Sequence, residues 1–361
     1  MQRIVKPIIS NCQHGFIPKR STTTNLMTFV TDVLRTIENR YQVDAVYVDF
    51  AKAFDRVPHE LIVEKLKRMG FPEWLTSWIY SYLTSRSAYV KINDSQSETF
   101  SIPSGVPQGS HLGPLIFLLF INDLCYWIKS RKLMYADDLK FYRCITSPLE
   151  CCALQDDIDS LLKWCDQNGM EVNIKKCHVI TFDHKHEPYV HAYTMGSRTV
   201  DRASSVKDLG VYLDRKMNFN EHITAITAKS FATLGFIRRN TSAFKDIHAL
   251  KTLYCALVRS LLEYAAPVWA PYHIVQIDRL EKVQRAFVRY ALRTLPWRES
   301  PELTPIADRR RLLGLETLVT RRQRMQQLFI FDLLSDNLDC HTLLERLHFY
   351  VPPVDFVVFR H

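Results

Sequence analysis

Tyr135-Ala136-Asp137-Asp138 sets two adjacent carboxylates between two short apolar runs, and few folds can keep such a pair. Leu133 to Tyr135 before it and Leu139 to Tyr142 after it read as strands joined at the acidic pair, which puts both charges at a hairpin tip. Like charges held side by side repel, so a fold that retains them must supply a counter-charge, and a divalent cation is the usual one. Taken alone, the tetrapeptide is equally well explained as a solvated polar turn. The rest of the chain separates the two readings.

A second acidic strand end lies upstream. Val43-Asp44-Ala45-Val46-Tyr47-Val48-Asp49-Phe50 is rich in β-branched and aromatic residues and delivers Asp49 near its end. A carboxylate among such neighbours is costly to bury unpaired. Between the two acidic sites sits Pro103-Ser104-Gly105-Val106-Pro107-Gln108-Gly109-Ser110, a loop opening into an apolar helix from Leu112 to Ile128. One carboxylate on a strand, two on a neighbouring hairpin and a glycine loop opposite are what two-metal phosphoryl transfer requires. Two Mg²⁺ ions about 3.5–4 Å apart then activate an attacking hydroxyl and stabilise a leaving oxygen. Mg²⁺ favours a few carboxylates completed by substrate phosphate oxygens. Asp49, Asp137 and Asp138 are the candidate ligands. Asp55 is a weaker one, since an ion pair with Arg56 or a helix cap ahead of Pro58 also accounts for it.

Val48-Asp49-Phe50-Ala51-Lys52-Ala53-Phe54-Asp55, Ser104-Gly105-Val106-Pro107-Gln108-Gly109-Ser110 and Tyr135-Ala136-Asp137-Asp138 resemble, in that order, the core motifs of reverse transcriptases. The variant resembles jockey-like non-LTR (LINE-type) retrotransposons. Gln13-His14-Gly15-Phe16 running to Arg20-Ser21-Thr22, Asn173-Ile174-Lys175-Lys176-Cys177, Val206-Lys207-Asp208-Leu209-Gly210-Val211 and Leu262-Glu263-Tyr264-Ala265-Ala266-Pro267-Val268-Trp269 extend the match over about residues 11 to 300. The resemblance implies an α+β right-hand polymerase, with an antiparallel palm sheet packed on helices, partial fingers and an all-α thumb. Residues 1–42 would be a partial fingers remnant and 43–215 the palm with inserted finger elements. Residues 216–300 would be a basic helical thumb and 301–361 a C-terminal helical tail.

The same resemblance implies an RNA-directed DNA polymerase acting on an RNA template and a DNA primer with deoxynucleoside triphosphates and Mg²⁺, Mn²⁺ being able to substitute. Asp49, Asp137 and Asp138 would hold the metal. Lys176, three after Asn173, would protonate the leaving pyrophosphate, although the adjacent Lys175 leaves the register open. Phe50, Phe54, Gln108 and Gly109 would face the nucleotide, Gly105 would let template approach, and Lys19 and Arg20 would meet phosphates. Phe54, five residues after Asp49, would press on the ribose C2′ and exclude a hydroxyl; plain core packing explains it too. The chain also departs from the family's pattern. Only 48 residues precede Asp49, where the family carries longer fingers. Nothing resembles an upstream endonuclease, and Cys340-His341 alone is no C-terminal knuckle. An N-terminally truncated element is therefore expected. Its alternative is a catalytically inactive remnant that only binds nucleic acid. An RNA-dependent RNA polymerase is a third reading, which Phe54 opposes.

Charge adds a partner. The net charge is +9, and the window from Lys229 to Arg324 holds 18 Lys/Arg against 8 Asp/Glu. Lys282, Arg285, Arg289 and Arg293 recur at helical spacing opposite Leu280, Val283, Phe287 and Ala291. A basic face of this kind suits a nucleic-acid backbone. Nine cysteines without CxxC spacing exclude a zinc ribbon, and His184, His186 and His191 read as an exposed loop more readily than as metal ligands. No targeting signal or bilayer-length apolar run is present, so an intracellular protein of nucleus or cytoplasm, without membrane contact, is expected. The periodicities predict a mixed α/β half followed from Asn218 by helices over 218–238, 244–269 and 274–295.

Overall fold

The computed structural model describes residues 5, 7–184, 188–244, 246–293 and 306–347. Helix α1 (Thr22–Glu38) starts at Ser21, whose hydroxyl accepts from the Thr24 amide while the Thr24 hydroxyl bonds back to Ser21, so two otherwise unpaired amides are satisfied. The chain then enters strand β1 (Gln42–Val48). After short helices over His59–Arg68, Glu73–Leu83 and Leu112–Ile121, strands β2 (Arg131–Tyr135) and β3 (Asp138–Ile145) form the acidic hairpin. Helix α2 (Pro148–Asn168) ends at Gly169 in the left-handed conformation, φ +64°, as Pro at the start and Gly at the stop predict. Strands β4 (His178–Phe182) and β5 (Asp201–Ala203) complete one sheet of order β5-β4-β1-β3-β2. Every neighbour pair is antiparallel except β5 with β4. The molecule is thus α+β, with the sheet at its centre.

Alternation along the strands gives the sheet two apolar faces. Val46, Val48, Leu139, Phe141 and Val179 pack with Leu112–Ile121 and α2 into one core. Val43, Ala45, Tyr142, Ile180 and Phe182 pack with α1 and the C-terminal helices into the other. Helices α3 (Asn220–Asn240), α4 (Ile274–Leu292) and α5 (Leu318–Leu334) therefore share a core with the sheet. Residues 336–346 fold back on the start of the chain: Asp336 pairs with Lys19 at 2.7 Å, and Arg346 pairs with Asp32. Among the described residues no helix is long and apolar enough to cross a membrane.

A hairpin turns at Asn93-Asp94, where Lys91–Ile92 pairs with Ser95–Gln96. Two local expectations need correction. The apolar helix from Leu112 breaks at Asn122-Asp123, where the Asn122 side chain accepts from the Ser10 amide (2.8 Å) and donates to the Ile8 carbonyl (3.0 Å). The single helix expected over 244–269 contains a π turn at Tyr254–Arg259 and breaks at Tyr264-Ala265. Pro267 cannot donate a helical bond there, and the Tyr264 hydroxyl reaches instead to the Leu209 carbonyl at 2.9 Å. The boundary placed at 300/301, the apolar tail from Val351 and His186 lie outside the described residues.

Candidate active site

β1 and β3 run antiparallel and stay in register as far as Val48 opposite Leu139. One step further along lie Asp49 and Asp138, and facing Cα atoms in such a ladder are about 4.5–5.5 Å apart. Side chains two apart on a strand share a face, so Tyr47 and Asp49 project with Lys140 and Asp138 onto the same side of the sheet. Asp137 occupies the second position of the two-residue turn that Tyr135 and Asp138 close. Residues far apart along the chain are thus joined by register alone.

The segment after α2 supplies the cation. The Ala51 amide donates to the Glu171 carbonyl and the Asn173 amide to the Asp49 carbonyl, both at 2.8 Å, which docks the turn Ile174–Lys176 against the end of β1. That docking brings Lys176 Nζ to 3.6 Å from Asp49 Oδ2, so Lys176 is the lysine that meets Asp49. Asp49, Asp138, Lys140, Lys176 and Asp208 line a cleft of about 500 Å³. Asp137 stands outside that lining, at the turn itself.

Partial burial, then the charge of Asp49, raises the Asp137 carboxyl above its ordinary range. Asp138 is pushed up to about 6, first by burial and then by the charges of Asp137, Asp208 and Asp49. The donor set fits a hard divalent cation: oxygen ligands whose repulsion a cation would relieve. Among the described residues no three His, Cys, Asp or Glu side chains converge closely enough to enclose a metal unaided. A Mg²⁺ site completed by phosphate oxygens needs no such cage.

The repulsion has a pH signature. The folded-state pKa of Asp138 lies above that of an unfolded carboxyl, so its ionised form costs stability. That cost appears as pH rises through about 4 and is complete above about 6. Solvent screens much of it, because Asp138 keeps an exposed edge. Asp138→Asn is expected to raise the cation-free melting temperature at pH 7 by about 1–2 °C, with no gain at pH 4. A lower melting point at pH 7 would contradict the assignment of repulsion.

Other expected residues fall into two groups. Gln108 is exposed and donates to Asp55 Oδ1 at 2.9 Å, and Gly109 is exposed with φ +79° and open space around it. Phe54 is half-buried, stacked on Phe117 at 4.2 Å. Asp55 pairs with neither Arg56, which meets Glu171, nor the acidic pair. The second group is engaged by neighbouring parts of the fold. Phe50 is buried against Trp164 and presents no ring to a nucleotide. Gly105 is buried at φ +82°, and a Cβ there would lie 2.6 Å from the Asp55 carbonyl oxygen; its own carbonyl is taken by His59 and Arg86. Arg20, with a side chain 6% exposed, holds the carbonyls of Ser10, Asn11 and Gln13. Lys19 is paired with Asp336. On α4 the face bearing Lys282, Arg285, Arg289 and Arg293 is exposed or half-buried, but Asp278 pairs with Lys282 at 3.1 Å and Arg285 at 2.6 Å. Arg289 and Arg293 keep its single sign at the far end.

Sequence reasoning missed two features. Lys140 and Asp208 form a buried ion pair beneath Asp138, with the Tyr47 hydroxyl donating to Asp208 at 3.2 Å. The available signal was a lysine at an inward-facing position of an apolar strand. Gln13 reaches the acidic turn itself, as described below.

The family model described as reverse transcriptase (RNA-dependent DNA polymerase) matches residues 1–237, and the chain belongs to that family. Within it, the chain is 27% identical over 298 residues to a probable RNA-directed DNA polymerase from transposon BS of Drosophila melanogaster, covering 78% of this chain and 32% of that protein. It is 30% identical over 231 residues to the RNA-directed DNA polymerase from mobile element jockey of the same fly, covering 62% and 25%. The chain thus spans about a third or less of the length of these relatives. Among solved structures, apo telomerase from Candida Tropicalis aligns with a TM-score of 0.46 at 12% identity, over 81% of this chain and 48% of that one.

Proposed function

We propose that this chain carries the polymerase core of a non-LTR retrotransposon and performs RNA-templated DNA synthesis. The sheet would be the palm, with residues 43–215 around it, and residues 216–300 the thumb. The observation that carries the reading is the register of β1 on β3, which sets Asp49 beside the Asp137-Asp138 turn with Lys176 at hand.

In this reading Asp49, Asp137 and Asp138 hold two Mg²⁺ ions, with Mn²⁺ able to replace them. When bound, the metal lowers the pKa of the primer 3′-hydroxyl and neutralises the charge developing on the phosphates. The primer 3′-oxygen, its proton passing to solvent, forms a bond to the α-phosphorus of the deoxynucleoside triphosphate as the bond to pyrophosphate breaks. Lys176 leaves Asp49 and offers its proton to the departing pyrophosphate. Phe54, braced by Phe117, closes the space beside the ribose C2′, and Gln108 and Gly109 lie along the nucleotide. Arg289 and Arg293 meet the template–primer backbone. Catalysis is positioning and charge neutralisation, as phosphoryl transfer demands.

Primer extension on an RNA template with the purified chain tests this directly. Mg²⁺- or Mn²⁺-dependent incorporation is expected, and intact duplex binding without extension would favour a remnant that only binds. Phe54→Ala is expected to raise ribonucleotide incorporation relative to deoxynucleotide by about 10- to 100-fold, the range one shape contact discriminates. Unchanged ribonucleotide use would reassign Phe54 to core packing.

A further inference from the structure

The turn carrying the two acidic residues is strained where it is tightest. Ala136 has φ +58°, a left-handed conformation that a Cβ disfavours by about 1–2 kcal/mol per residue. Hairpin turns with a positive φ at this position ordinarily place glycine there. Something outside the hairpin must hold it, and that is the segment at the start of the chain. Gln13 forms a parallel bridge with Met134, the His14 amide donates to the Met134 carbonyl at 2.8 Å, and the Met134 amide donates to the Cys12 carbonyl at 2.8 Å. This alignment brings the Gln13 side chain, 3% exposed, over Ala136.

One side-chain amide then binds both backbone groups of the strained residue. Gln13 Oε1 accepts from the Ala136 amide at 2.9 Å and from the Gly15 amide at 2.7 Å, while Nε2 donates to the Ala136 carbonyl at 3.3 Å. Two amides converging on Oε1 fix the side chain's orientation, because a flipped amide would face donor with donor. Gly15 completes the fit: a Cβ there would lie 2.4 Å from the Ala136 nitrogen. Below, the Asn25 side chain donates to the Met134 carbonyl at 3.0 Å, and Arg20 holds the Gln13 carbonyl at 2.8 Å.

We infer that Gln13 is the positioning residue of this centre: its amide locks Ala136 in the left-handed conformation and so fixes where the Asp137 and Asp138 carboxylates project. This rests on the reading of those carboxylates as the metal-holding pair. The clamp itself does not depend on that reading. Outer partners that orient ligands are typically worth about 10- to 100-fold in metal affinity or activity.

The test uses the full chain with Mn²⁺ alone as probe, read by electron paramagnetic resonance, alongside amide hydrogen exchange. In the unsubstituted chain the Ala136 amide is expected to be protected, although no backbone carbonyl caps it. Gln13→Met keeps the volume and removes all three side-chain bonds, and is expected to expose that amide and to weaken Mn²⁺ binding by about 10- to 100-fold. Ala136→Gly relieves the strain, so the Gln13→Met penalty is expected to shrink by most of its size in that background. A purely structural glutamine would cost stability equally in both backgrounds. A folded Gln13→Met variant with unchanged Mn²⁺ affinity overturns the inference, as does an Ala136 amide that exchanges like an exposed turn in the unsubstituted chain. If Mn²⁺ fails to bind the unsubstituted chain while its Ala136 amide is protected, the metal reading falls and the clamp stands.

Discussion

Asp137→Asn is expected to reduce primer extension by about 10³-fold or more while RNA–DNA duplex binding is retained. The substitution keeps the size and shape of the side chain, removes its charge and exchanges one acceptor oxygen for an amide donor. Neutralising phosphoryl charge is worth several kcal/mol, and about 1.4 kcal/mol corresponds to each factor of ten. Asp137 sits in the turn and not in either apolar core, so the fold has no reason to suffer. Removing one of three mutually repelling carboxylates relieves the others, since Asp138 is raised partly by Asp137. Extension rates and filter binding of the same preparation decide the matter: equal activity would remove Asp137 from the metal-holding set.

Lys140→Met is expected to be the most destabilising single change near the site, by about 3–5 kcal/mol, because it strands a buried charge. The side chains of Lys140 and Asp208 are 4% and 6% exposed, and Nζ also lies 4.8 Å from the centre of the Phe29 ring. Burial lowers the Lys140 pKa, and Asp208 opposes that shift by favouring the charged form. Without the ammonium, Asp208 is left with the Tyr47 hydroxyl among the described side chains, and Asp138 loses a favourable charge two residues away on the same face. A fall in melting temperature of about 5–10 °C follows for a chain of this size. Lys140→Met with Asp208→Leu is expected to recover most of it, since an apolar pair of similar volume replaces an ion pair with little loss. If the double variant melts as low as the single one, the pair is not the source of the effect.

Much of this was legible along the chain because local rules act over a few residues. Ser147-Pro148 and Gly169 bracket α2, the β-branched and aromatic run from Val43 to Val48 marks β1, and the apolar runs flanking Ala136-Asp137 mark β2 and β3. The alternation of Leu280, Val283, Phe287 and Ala291 with the cations of α4 also held, with all four apolar residues buried. Side-chain destinations were less legible. Arg20 and Gly105 sit in stretches that resemble binding motifs, yet Arg20 is held by the carbonyls of the loop just before it and the Gly105 carbonyl by His59, 46 residues away. Phe50 adjoins Asp49 but faces the opposite side of the sheet, toward Trp164.

The order of the acidic, glycine-loop and lysine segments, their residue types and the periodicities around them followed from the sequence alone, since chemistry and strand alternation are written residue by residue. Which lysine meets Asp49, how Gln13 reaches Ala136 and why Lys140 can be buried were decided only by the tertiary structure. Each depends on pairing between segments dozens of residues apart or more, where a one-residue shift in register would turn every side chain to the other face.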